Sequence, residues 1–171
     1  MTGPDARLLD DVVAPRVLDA MRAASEALAR LGVRHIVVGG LAVGANGYPR
    51  ATKDVDFLVG DEAFEHHPGG FVTMRPGVPI QVGGISIDLL SVKDGEEHLA
   101  AALTAAPGAF AEPPVLIYLK LSSPRQKDRV DVIELVKAGI DIETCRAYLV
   151  EHAPSLAAAF DDAVARAAAE E

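Results

Sequence analysis

Between Pro15 and about Leu31 the apolar residues Val17, Leu18, Met21, Ala24, Leu28 and Leu31 recur at the spacing of a helix face, and Gly32 ends the run as a C-terminal cap would. His35-Ile36-Val37-Val38 is a short β-rich run closed by Gly39-Gly40. After it, Leu41 to Ala45 suits a short helix that ends before Gly47 and Pro49. The predicted order is strand, glycine turn, helix. A further strand is predicted from Asp54 to Val59, and the stretch from Phe71 through Leu90, broken by Gly77, Pro79, Gly83 and Gly84, predicts two or three more joined by tight turns. Beyond Asp94 the pattern turns helical, with segments predicted at about 95–105, 114–122, 125–138, 142–152 and 155–169. The fold class expected is therefore α/β (α+β): a small mixed β-sheet with flanking helices and a helical C-terminal half. At this length one domain is expected over 1–171, with a core in 1–110 that includes the N-terminal helix and a helical part in 111–171.

Half of the 171 residues are hydrophobic, 24% are charged, and no run long enough to cross a membrane occurs, so a spanning helix is excluded and disorder is disfavoured. The polar N-terminus, Met-Thr-Gly-Pro-Asp-Ala-Arg, shows no apolar stretch ahead of a cleavage site, so a cytoplasmic location with no membrane partner is expected. Cys145 is the single cysteine and can form no internal disulfide, which agrees with a reducing compartment. A net charge of −9 opposes a broad nucleic-acid surface, because binding along a duplex needs a basic stripe. It leaves room for a small contact: the end of one RNA strand, a protein side chain or a small molecule. The mean hydropathy of +0.21 and the last segment, rich in Ala158, Ala159, Ala163, Ala165, Ala167 and Ala168, point to a packing or self-association face, which leaves a homo-oligomer open.

The chemistry is concentrated around Asp54 and Asp56. Side chains on a strand alternate, so the two carboxylates share one face while Val55 and Phe57 face the core. Held about 7 Å apart, they repel one another unless a cation sits between them. Hard oxygen ligands of this kind suit Mg²⁺ or Mn²⁺. A third carboxylate, Asp88, lies in Ile85-Ser86-Ile87-Asp88-Leu89-Leu90, on the face opposite Ile85, Ile87 and Leu89. If that strand lies beside the 54–59 strand, three carboxylates converge and are enough for two metal ions. Two ions about 3.5–4 Å apart would clamp phosphates, one activating an attacking hydroxyl and the other neutralising a leaving pyrophosphate. Backbone N–H groups at Gly39-Gly40, with no side chains in the way and a helix following, can approach a triphosphate.

Each of these residues also has a plainer reading. Asp54 and Asp56 could be solvated edge carboxylates, and Asp88 a solvent-facing strand residue. Arg50 either binds a triphosphate or braces its loop by pairing with an aspartate. Thr52 suits fixing the same loop through a backbone hydrogen bond. Lys120, amid Ile117, Leu119 and Leu121, is either a phosphate contact or a surface lysine whose stem lies on apolar neighbours. Asp128 and Asp131 face the same way on a helix, as do Lys127 and Asp131, and a salt-bridged surface would give the same spacing. His66 and His67 read as loop surface residues with no third ligand at a zinc-like spacing, and His35, His98 and His152 as structural.

The run Val-Gly-Gly-Leu-Ala-Val-Gly-Ala-Asn-Gly-Tyr-Pro-Arg-Ala-Thr-Lys-Asp-Val-Asp-Phe-Leu, from Val38 to Leu58, resembles the signature of the DNA polymerase β-type nucleotidyltransferase superfamily. More narrowly, the order Gly-Gly, Arg50, Thr52 and Asp-x-Asp resembles the AbiEii-like and related minimal nucleotidyltransferases, several of them toxins of toxin–antitoxin pairs. Further on, Tyr118-Leu119-Lys120-Leu121 and Arg125-Gln126-Lys127-Asp128-Arg129-Val130-Asp131 are similar to the Lys…Arg-x-Lys-Asp-x-x-Asp pattern of those proteins. The resemblance spans about residues 35 to 136. It implies the nucleotidyltransferase fold, a triphosphate held at Gly39 and Gly40, Mg²⁺ bound by Asp54 and Asp56, and Asp88 completing the metal site or acting as base. Arg50, Thr52, Lys120 and Lys127 are the expected nucleotide contacts. One departure stands out: the second glycine replaces the serine of many members, so a hydroxyl that can contact phosphate there is missing.

The expected function is metal-dependent transfer of a nucleoside monophosphate from an NTP to a hydroxyl acceptor, with two Mg²⁺ (or Mn²⁺) ions, the helical part closing the nucleotide cleft. An RNA end, a protein Ser, Thr or Tyr, and an antibiotic hydroxyl are acceptors handled within this fold, and fold does not choose among them. The size and the lack of a basic patch favour a protein side chain or a small RNA end. A toxin role, with a cognate antitoxin as partner, is implied by the resemblance alone. The alternatives are a nucleotide- or partner-binding module that has lost catalysis, and an antibiotic adenylyltransferase.

Overall fold

The computed structural model describes residues 3–170. Helix α1, Pro15–Arg30, buries Val17, Leu18, Met21, Ala24 and Leu28 along one face, each large side chain contributing about 1.5–3 kcal/mol relative to exposure. Its end is set by Gly32, whose φ of 70° reverses the chain so that Val33 N–H donates to Leu28 O at 2.9 Å. Strand β1, His35–Val38, is buried throughout. Helix α2, Gly39–Ala45, begins two residues earlier than the sequence pattern predicts, because Gly39 at φ 65° turns the strand directly into the helix.

Strand β2 is Val55–Val59, so Asp54 stands just ahead of it rather than on it as predicted; the ladder to the neighbouring strand opens at Val55. A hairpin follows, β3 Phe64–His66 and β4 Val72–Met74, forming a two-stranded sheet of its own. β3 corrects the loop expected around His66: the ring lies on a strand, exposed, with Nε2 2.9 Å from Asp61 Oδ1. Three mostly exposed residues carry too little alternation to be read as a strand. The stretch predicted to hold two or three strands holds three: β4, then β5, Gln81–Val82, and β6, Ile85–Ser91.

The main sheet has the order β1-β2-β6-β5 and is mixed: β1 and β2 are antiparallel, β2 and β6 parallel, β5 and β6 antiparallel. Residues 109–111 run along the outer edge of β1, with Val37 N–H donating to Ala109 O and Ala111 N–H to Val37 O. That strip ties the helical half to the sheet. It follows a 3₁₀ segment, Glu97–Thr104, in place of the helix expected near 95–105.

The remaining helices are α3 Pro113–Leu121, α4 Gln126–Lys137, α5 Ile142–His152 and α6 Ala157–Ala169. The alanine-rich α6 turns Phe160, Ala163 and Ala167 inward against the other helices. One face of the sheet, with Val37, Val55, Phe57, Val59, Ile85 and Ile87, packs on α1; the other, with Ile36, Val38 and Leu58, packs on the helical half. Among the described residues no helix is long and apolar enough to cross a membrane.

Candidate active site

The face of the sheet toward the helical half also carries Asp56 and Asp88. They are register partners on the adjacent parallel strands β2 and β6, so their side chains leave the sheet side by side, roughly 5 Å apart at the backbone. Asp54 joins the same wall from the residue before β2. All three line an open cleft of about 760 Å³, whose opposite wall is built from α3, the turn after it and the start of α4.

No cation pairs with these carboxylates among the described residues. Burial and then the Asp88 charge push the Asp56 carboxyl up to about 6; Lys120 across the cleft works against this and Asp54 adds to it. Asp54 and Asp88 are exposed, and among the described residues no three acidic, histidine or cysteine side chains close on one point as a preformed metal site. The convergence expected from sequence is therefore a shared wall: Asp54 lies off the strand, and like charges without a counter-ion hold apart. By donor chemistry the wall nonetheless fits a hard divalent cation, since its polar groups are carboxylate oxygens and Asp56 holds its charge at a penalty that a cation would remove.

The glycine turn lies against this wall. A Cβ on Gly39 would fall 2.1 Å from Asp56 Oδ2, and the φ of 65° would strain any other residue, so both the carboxylate and the conformation favour glycine there. At Gly40 a Cβ would lie 2.9 Å from Thr52 Oγ1 and 3.3 Å from Arg50 Nη1. The hydroxyl that the motif lacks at the second glycine thus has a neighbour: the Thr52 hydroxyl occupies that space, donating to Arg50 O at 3.1 Å and so bracing the loop as expected.

Across the cleft, Arg50 is bound edge-on by Asp131, with Nε to Oδ1 at 3.0 Å and Nη2 to Oδ2 at 2.8 Å. This is the bracing alternative for Arg50, with Nη1 still turned toward Gly40. Lys120 is 6% exposed and lies 2.8 Å from both Asp128 Oδ1 and Asp131 Oδ2, so the surface-lysine alternative is set aside. Arg125 Nε reaches Asp128 Oδ2 at 2.8 Å from a largely exposed side chain. Burial acts to raise the Asp128 carboxyl, but hydrogen bonds from Lys120 and Ser123 and the Lys120 charge outweigh it and leave the group below the usual carboxylate range. Lys127 and Lys53 line the cleft without an ion-pair partner among the described residues.

All nine candidate residues, Gly39, Gly40, Arg50, Thr52, Asp54, Asp56, Asp88, Lys120 and Lys127, line the one cleft. Sequence reasoning missed Lys53, although it sits beside the Asp-x-Asp pair, and it missed that Asp128 and Asp131 are buried. Their helical spacing was the available signal, but it does not tell a buried pair from a surface one. Cys145 is buried in the helical core with its thiol pushed up to about 12 by burial and the Asp141 charge, and it plays no part in the cleft. His35 is held by Ser25 Oγ and Val33 O in the core.

No family model matches the chain, and no curated protein matches it. Among solved structures the chain is similar to that of an antigenic nucleotidyltransferase-like protein from Paracoccidioides brasiliensis, with 18% identity over 86% of this chain and 95% of that one and a TM-score of 0.40. At that level of likeness nothing about chemistry carries over.

Proposed function

We propose that this protein transfers a nucleoside monophosphate from an NTP to a hydroxyl acceptor and releases pyrophosphate. The observation that carries this reading is the placement of Asp56 and Asp88 in register on adjacent parallel strands, facing a cleft whose far wall is cationic. Asp54, Asp56 and Asp88 would hold Mg²⁺ or Mn²⁺, which when bound supplies positive charge for the phosphates and lowers the pKa of the attacking hydroxyl. Gly39 and Gly40 let backbone N–H groups approach the triphosphate, with the Thr52 hydroxyl and Arg50 Nη1 beside them. Lys120, Lys127 and Arg125 face charge that builds on the pyrophosphate. Asp88, the more exposed of the strand pair, receives the proton that the acceptor hydroxyl gives up as its oxygen bonds the α-phosphorus and the bond to pyrophosphate breaks.

The acceptor in this reading is an RNA end or a protein Ser, Thr or Tyr, and a toxin held in check by a cognate antitoxin is the biological setting that the motif order suggests. The test is label transfer from each α-phosphate-labelled NTP, with Mg²⁺ and cell extract, comparing wild type with Asp56→Asn and treating products with RNase or protease. Labelled product from wild type is expected, falling at least ~100-fold in the variant, because each ~1.4 kcal/mol of lost transition-state stabilisation is tenfold. Metal-dependent NTP binding with no label in any lane would instead identify a binding module without catalysis.

A further inference from the structure

Arg50, Lys120 and Arg125 bring three positive charges to the helical side of the cleft, and Asp128 and Asp131 set two negative charges among them. Asp131 is 1% exposed, does not line the cleft, and stands behind Arg50 and Lys120. Both its oxygens are engaged: Oδ1 accepts from Arg50 Nε, while Oδ2 accepts from Arg50 Nη2 and lies 2.8 Å from Lys120 Nζ. A bidentate carboxylate fixes the plane of a guanidinium as well as its position. Nη1, which has no hydrogen-bond partner among the described residues, is thereby left beside Gly40, where a Cβ would be 3.3 Å from it. Buried ion pairs of this sort give little net stability, since desolvation offsets most of the attraction.

We infer that Asp131 is a positioning residue for polyphosphate binding, aiming Arg50 Nη1 and the Lys120 ammonium together at the glycine turn, with Asp128 steadying Lys120 from its other side. This rests on the nucleotide reading above. It joins the loop that precedes the strand carboxylates to α3 and α4 through one buried side chain, so the cationic groups are set before a ligand arrives.

The sign of one substitution separates positioning from simple charge balance. If Asp131 only offsets its neighbours, Asp131→Asn leaves the wall one charge more positive and tightens the grip on a polyanion. If Asp131 aims them, the same change weakens binding in spite of the added positive charge. Asp131→Glu keeps the charge, leaves no buried cation unpaired and displaces the carboxylate by one methylene, so it decides the matter should the asparagine variant fail to fold. Calorimetric titration of the three proteins with inorganic triphosphate in Mg²⁺, and with Mn²⁺ alone, reads both. Expected is a loss of triphosphate affinity of about 10- to 100-fold in either variant, the range typical when a partner orienting a binding group is removed, with Mn²⁺ affinity unchanged. Triphosphate binding equal to or tighter than wild type in a folded variant overturns the positioning role alone, as does an equal loss of Mn²⁺, which would mark general collapse of the cleft. Failure of the wild type itself to bind triphosphate overturns the nucleotide reading and this inference with it.

Discussion

On the strand wall of the cleft, Asp54, Asp56 and Asp88 stand together without a cationic partner among the described residues; on the helical wall, Asp128 and Asp131 are each held by two cations, with Lys120 shared between them. The two buried carboxylates of the helical wall are thus matched in the free protein and fix the side chains that bind them, while Lys127 stays unpaired among the described residues. The strand wall keeps its charge at a cost that a cation would relieve: burial first, and then the Asp88 charge, push the Asp56 carboxyl up to about 6. Where charges are matched internally, geometry is settled during folding. Where they are left unmatched, part of the folding free energy is set aside for a ligand to recover.

The largest effect is expected on the matched wall. Lys120→Met leaves Asp128 and Asp131 buried with one cation each, and equilibrium denaturation should show a loss of about 3 kcal/mol, the low end for breaking a buried pair because Arg50 and Arg125 remain. A stability equal to wild type would mean that the buried network contributes no more than a surface pair does.

On the unmatched wall the sign reverses. The Asp56 carboxyl titrates at about 6 in the folded chain against 3.8 as its ordinary value, so between roughly pH 4 and 6 the folded state binds more protons than the unfolded state and wild type loses stability as pH rises. Asp56→Asn removes that penalty. At pH 8 the metal-free variant should be more stable than wild type by on the order of 2 kcal/mol, after discounting for partial solvation, with no advantage below about pH 4. Adding Mg²⁺ at pH 8 should raise the melting temperature of wild type and not of the variant; a variant less stable than wild type without metal would break the contrast between the walls. The smallest effect is reserved for Arg125→Ala. Its side chain is 73% exposed, so the pair with Asp128 should be worth under about 0.5 kcal/mol by the same denaturation measurement.

Much of the scaffold is legible along the chain. The α1 face, the arrest at Gly32, β1 running into the glycine pair, and the alternation that sends Val55 and Phe57 to one side and Asp56 to the other follow from local periodicity and backbone freedom. Strand β3, and with it the hairpin it makes with β4, is not legible, since its residues are few and mostly exposed. Nor is the neighbour of Asp56 dictated locally: β6 reaches β2 only after the hairpin and β5 have intervened, and a parallel pairing over that distance leaves no short-range mark. Lys120, Asp128 and Asp131 divide in the same way. Their spacing on α3 and α4 can be read, but their burial and shared partners depend on how the two helices meet.

The sequence by itself determined which residues bear charge, where the glycine turn interrupts strand and helix, and which strand face Asp56 and Asp88 take, because these are properties of neighbouring residues and of period-two or period-3.6 geometry. The tertiary structure alone decided that Asp56 and Asp88 stand side by side, that Thr52 fills the space beside Gly40, and that Asp131 rather than solvent holds Arg50 and Lys120. Those are contacts between segments distant along the chain, and the Coulomb and desolvation energies that govern them depend on separation and burial in space.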